Sequence, residues 1–201
     1  MTSLPPVDLR SSPALDAPRP KTWTVPEYHR LSELGFLGSH DRTELCAGQI
    51  MLKASKSPLH VTVLQLLAQT LREFLQTQPV LILTQDPIQL DDRSEPEPDL
   101  VVARGTALDY RSQHPQPADL HLVVEVADST LTYDCGPKAR LYAQAGIADY
   151  WVVDVQNQQL HIFRDPTPAG YSHHLILTQP QSAALLAFPA CSINLHEIFP
   201  V

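Results

Sequence analysis

Residues 119–155 read DLHLVVEVADSTLTYDCGPKARLYAQAGIADYWVVDV. The segment opens with Leu122-Val123-Val124-Glu125-Val126-Ala127. A valine-rich run without alternation predicts a strand covered on both faces. Glu125 then sits where a carboxylate is costly unless it is paired or bound to a cation. After a polar turn, Asp134 is placed to cap a helix reaching about Ala145, with Gly146 as its stop. Lys138, Leu141, Tyr142 and Ala145 recur at i, i+3, i+4 and i+7, so the lysine shares the apolar face. A second strand, Tyr150 to Val153, follows. An acid inside a strand, with a lysine on the buried side of the next helix, reads as a site.

Working outward, Pro98 to Ala103 is another strand, and alternation puts Asp99, Val101 and Ala103 on one of its faces. Val80 to Leu83 and Ile88 to Leu90 are expected strands before it. Ser57-Pro58 starts a long helix to about Gln76, with Val61, Leu64, Leu67, Leu71 and Leu75 as its inward stripe. His60, in the first turn, is read as a surface or capping histidine in preference to a catalytic one. Arg42 to Cys46 and Gln49 to Leu52 flank Ala47-Gly48 as a hairpin. Glu44 on that hairpin is either solvated or part of the site. Thr24 with Glu27 is a capping box opening a packing helix. Residues 1–22 form a proline-rich arm without a core, which leaves 23–201 as the folded domain. Downstream, a turn after Asp154 leads into His161 to Phe163. Short strands such as His174 to Leu177 and the apolar anchor Ile198-Phe199 complete the chain.

Composition narrows the function. The 201 residues are 43% hydrophobic, enough for one sizeable core. No run approaches the ~18 apolar residues of a membrane span, and the opening residues lack the apolar core of a secretory signal. Cys46, Cys135 and Cys191 have no ligand spacing and suit reduced thiols in a cytoplasm. There is no glycine-rich phosphate loop, nucleophile elbow or internal repeat. The net charge of −8 disfavours a broad nucleic-acid surface but leaves room for a local basic groove.

Asp99 and Glu125 lie in or beside strands that antiparallel pairing can set side by side. Two close carboxylates repel unless a cation fills the gap. Mg²⁺ takes hard oxygen ligands and needs only one or two carboxylates, and the Val126 carbonyl could add a third oxygen. Lys138 could then orient or deprotonate the attacking water and counter charge on a phosphate. That constellation suits metal-assisted phosphodiester hydrolysis. A structural ion pair between Glu125 and Lys138 is the competing reading.

Taken in order, Thr24-Val25-Pro26-Glu27-Tyr28, Glu44-Leu45 with Gly48, Ser57-Pro58 with His60, and Glu97-Pro98-Asp99 make a pattern. It continues through Asp119-Leu120, Val124-Glu125-Val126, Asp134, Lys138, Leu141-Tyr142, Ala145-Gly146-Ile147 and Tyr150 to Asp154. From about Trp23 to Phe199 the chain resembles the Uma-two family of restriction endonucleases, a branch of the PD-(D/E)xK nuclease superfamily. The resemblance implies an α/β (α+β) fold with a restriction-endonuclease-like core: a mixed central sheet flanked by helices, with added hairpins. It implies metal held by Asp99 and Glu125, Glu44 as a further acid, and Lys138 supplying the amine that the superfamily usually carries where Ala127 stands. Gln49 and Asp128 depart from the family pattern, which commonly has an acid and a serine there.

The expectation is therefore a cytoplasmic Mg²⁺-dependent endodeoxyribonuclease, with Mn²⁺ as a substitute, DNA as substrate and a homodimer as the simplest way to cut two strands. The alternative is a catalytically silent binding or assembly module on the same fold.

Overall fold

Val-rich, doubly buried segments assemble the centre of the computed structural model, which describes residues 19–38 and 41–199. Most of the expected proline-rich arm lies outside the described residues. The principal sheet contains β3 (Val80–Thr84), β4 (Leu100–Arg104), β5 (Leu120–Ala127), β6 (Asp149–Asp154), β7 (Gln159–Thr167) and β8 (Gly170–Thr178), in that spatial order. Only β5 and β6 run parallel, so the sheet is mixed. Parallel neighbours require a crossover, and here it is the helical stretch quoted at the outset.

Helix α2 (Pro58–Leu75) is capped by Ser57, whose hydroxyl accepts from the His60 N–H at 3.1 Å. Its buried stripe is His60, Val63, Leu64, Leu67, Ala68, Leu71 and Leu75, packed on Leu100, Val102, Val124 and Val126. Each such leucine contributes about 1.5–3 kcal/mol by leaving water. Val61, expected on this stripe, is 42% exposed instead. Helix α5 (Leu195–Ile198) and the hairpin β9 (Ser182–Ala184) and β10 (Ser192–Asn194) complete that layer, with Ile198 and Phe199 buried as expected.

The opposite face carries Val101, Ala103, Val123 and Ala127, covered by Tyr142 and joined by Tyr150 and Phe163. The crossover comprises α3 (Leu131–Tyr133), a π-turn over Asp134–Lys138, and α4 (Ala139–Gln144). Asp134 is thus not the helix cap: it has helical backbone angles inside the stretch. Pro137 lacks an N–H and would clash with an ordinary helical turn. The widened turn accommodates it, and the Asp134 carbonyl accepts from Ala139 five residues on.

Hairpin β1 (Thr43–Cys46) and β2 (Gln49–Leu52) has Ala47 and Gly48 at φ 49° and 76°, the positive pair of a tight hairpin turn. A Cβ on Gly48 would lie 2.8 Å from the Thr22 Cβ. Helix α1 (Val25–Glu33) has the expected Thr24–Glu27 capping box. Ile88 to Leu90 is not a strand. It folds back through Ile88 N–H to Pro96 O and Leu90 N–H to Ser94 O, and Pro96 and Pro98 cannot donate to a longer ladder.

A candidate active site at the end of the central strands

Leu100 pairs with Val124 in the antiparallel β4–β5 ladder. One further step sets Asp99 opposite Glu125, on the sheet face that carries α4. β4 ends there while β5 continues, opening a cleft of about 210 Å³ lined by Glu44, His60, Asp99, Glu125, Asp134 and Lys138. All six are buried.

Lys138 projects from the end of the π-turn onto two carboxylates. Its Nζ is 3.0 and 3.1 Å from the oxygens of Glu44 and 2.9 Å from Glu125 Oε1. One turn later, the Tyr142 hydroxyl donates to the same Glu125 oxygen at 2.8 Å. The i, i+4 spacing on one apolar face therefore converges on a single atom. Glu44 is held in turn by the Glu97 N–H at 3.0 Å. Burial opposes the Lys138 ammonium, but Glu125 and Glu44 lift its pKa well above the usual lysine value, so it stays protonated. Burial also lifts Glu125, to about 8, against the pull of Lys138.

Asp99 behaves differently. Burial pushes it up, yet the His60 ring, the Val126 N–H and the Gln85 amide together hold it down at about 2. The Val126 N–H donates to Oδ2 at 2.9 Å and Gln85 Nε2 to Oδ1 at 3.1 Å, while His60 Nε2 lies 3.2 Å from Oδ1. The Ala127 carbonyl accepts from Val155 on the β6 side. Val126 therefore presents its backbone groups to the other edge, beside Asp99 and beyond the end of β4.

The structure brings Glu44, Asp99, Glu125, Val126 and Lys138 together, and it corrects the reading of His60, which is buried in the cleft and not on the surface. The signal was present: His60 stands four residues before Leu64 on the inward stripe. Tyr142 and Asp134 were missed as site members. Asp134 is raised to about 6 by burial, against Lys138 and a hydrogen bond from Thr130. Gln85 carried no sequence signal, and its φ of 59° is a left-handed conformation of the kind found at functional sites. Asp128 is half-buried at the cleft, held by the Ser57 hydroxyl and the Gln156 amide below its usual value.

The donor set fits a hard divalent ion. Two strand-end carboxylates and a neighbouring carbonyl are what Mg²⁺ uses while retaining waters. Among the described residues no group of three His, Cys, Asp or Glu side chains could hold a metal, so any such ion would rest on two.

A family described as "Uma2: Putative restriction endonuclease" matches residues 25–196. The chain belongs to the Uma2 family. The Uma2 fold is also seen in the crystal structure of "a putative nuclease belonging to DUF820" from Anabaena variabilis ATCC 29413. The two are 12% identical with a TM-score of 0.67, over 88% of this chain and 97% of that one. No curated protein matches this Uma2 chain. Among the described residues no helix is long and apolar enough to cross a membrane.

Proposed function

We propose that the chain is a Mg²⁺-dependent endodeoxyribonuclease whose centre is Asp99, Glu125 and Lys138. The observation that carries this reading is the placement of Asp99 opposite Glu125, with the Lys138 ammonium 2.9 Å from the latter. Asp99, Glu125 and the Val126 carbonyl would hold Mg²⁺, which when bound supplies a Lewis acid for the phosphate and acidifies water. Lys138, being protonated, orients the attacking water and offsets charge developing on the phosphate, and it does not take the proton. Glu44 fixes the ammonium from its other side, Tyr142 fixes Glu125, and His60 with Gln85 fixes Asp99.

The test is cleavage of supercoiled and linear DNA by the full chain in Mg²⁺ or Mn²⁺, beside calorimetric metal titration. Wild type should take up metal and cut, and Glu125→Ala should do neither while remaining folded. Wild-type protein that binds metal but leaves every DNA form intact would end the reading.

The double hold on Lys138 by Glu44 and Glu125 favours one alternative, a catalytically silent assembly module in which the charges form a closed ion network. No metal uptake in the same titration would favour it. Two symmetric copies remain the simplest arrangement for cutting both strands.

A further inference from the structure

We propose that Arg42 and Lys56 form a seat for a backbone phosphate of DNA on the hairpin side of the cleft; the choice of ligand rests on the nuclease reading above. The two residues flank the β1–β2 hairpin, Arg42 just before β1 and Lys56 shortly after β2, and both line the cleft that holds the acids. Arg42 is positioned by its Nη1 donating to the Ala54 carbonyl at 3.1 Å. That uses one of five guanidinium donors. Lys56 donates to Gln85 Oε1, and the Gln85 amide donates to Asp99 Oδ1 at 3.1 Å. A phosphate on Lys56 would thus be referenced, through one neutral side chain, to the carboxylate assigned to the metal.

The charge balance at this wall points to an anion. Lys53, between the two, is held by Glu97 at 2.6 Å. Neither Arg42 nor Lys56 has an acidic partner at salt-bridge distance among the described residues. Both are half-buried, in a chain of net charge −8 where acidic partners are plentiful. Cations that repel one another and lack a directly paired acid are stabilised when an anion joins them. Burial, then Arg42 and Lys53, pull the Lys56 amine below the usual lysine value, and Asp99 and Glu97 act more weakly in the opposite direction. A phosphodiester supplies acceptor oxygens to both side chains, and its strand then continues toward Asp99 and Glu125.

The test is binding of a short fluorescein-labelled DNA duplex to the full chain in EDTA, followed by anisotropy over a salt series. Loss of one phosphate contact should flatten the log–log salt slope by ~0.9, which at 0.1 M salt weakens binding about eightfold. Arg42→Gln and Lys56→Gln should each show this, with unchanged urea melts. Arg72→Gln, an equal loss of charge on the exposed far end of α2, should bind as wild type. In Mg²⁺ the first two variants should raise KM with kcat nearly unchanged. Slopes and affinities matching those of Arg72→Gln would overturn the seat, as would a wild type that ignores the duplex. Duplex binding that depends on both residues without any cleavage would uphold the seat and remove the nuclease reading. Cleavage with unaltered KM in both variants would do the reverse.

Discussion

Buried acids at two places in this protein are treated in opposite ways. Asp149, at the start of β6, accepts from Trp151 Nε1 at 2.9 Å, from Arg164 Nε and Nη2 at 2.8 and 3.3 Å, and from the Leu186 N–H at 2.8 Å. Four donors meet two oxygens and one cation meets one anion. At the cleft, Glu44, Asp99, Glu125 and Asp134 are all buried around a single buried ammonium, Lys138. Both contacts of Glu125 fall on Oε1. The first arrangement is complete, as a structural ion pair must be if it is not to cost stability. The second has more buried acids than cations, which is the imbalance the proposed metal would relieve. A structural salt bridge and the candidate site thus differ here in their charge balance, although burial is the same.

The largest effect should come from removing the cation at each place. Lys138→Met and Arg164→Met should each cost about 3–5 kcal/mol in urea melts, because an uncompensated carboxylate remains buried. If the contrast holds, millimolar Mn²⁺ should recover part of the loss in Lys138→Met and none in Arg164→Met. Equal recovery, or none in either, would break it.

Next comes Glu125→Gln, expected to lower cleavage more than about 10²-fold, since outer-shell losses at metal sites alone reach that size. Its stability should sharpen the comparison through pH. Glu125 and Asp134 are lifted to about 8 and about 6, from 4.5 and 3.8 in the free state. Between those values the folded protein retains protons that the unfolded chain has lost, so stability falls as pH rises. In EDTA, wild type should lose stability relative to Glu125→Gln between about pH 5 and pH 8. A constant difference across that range would show that the acid is ionised throughout.

His60→Ala should raise the Mn²⁺ dissociation constant by about tenfold, by releasing Asp99 from the ring 3.2 Å away. Last, and with cleavage left untouched, Trp151→Phe should cost about 1–3 kcal/mol in urea melts, through the lost hydrogen bond to Asp149 and the space left in the core.

Periodicity and capping settled much of this protein in advance. The valine run predicted β5, the Ser57-Pro58 signal predicted α2, and Ala47-Gly48 predicted the hairpin, because each depends on neighbours within a few residues. Lys138 and Tyr142 were legible as one helical face for the same reason. Short-range rules misread Asp134, since Pro137 sits in a widened turn that a cap assignment assumes regular. They misread Ile88 to Leu90, where prolines on the returning segment prevent the ladder. His60 looked peripheral because the inward stripe was started at Val61, although His60 stands four residues before Leu64 on the buried side.

The sequence by itself determined the central strands and the long helix, and that an acid and a lysine would share their interior. Only the tertiary structure decided that Glu44, 94 residues before Lys138, closes on the same ammonium. It also set Gln85 between Lys56 and Asp99. Burial patterns arise from chemistry repeated along the chain, whereas a site is made where distant segments end beside one another, and those ends are fixed by packing.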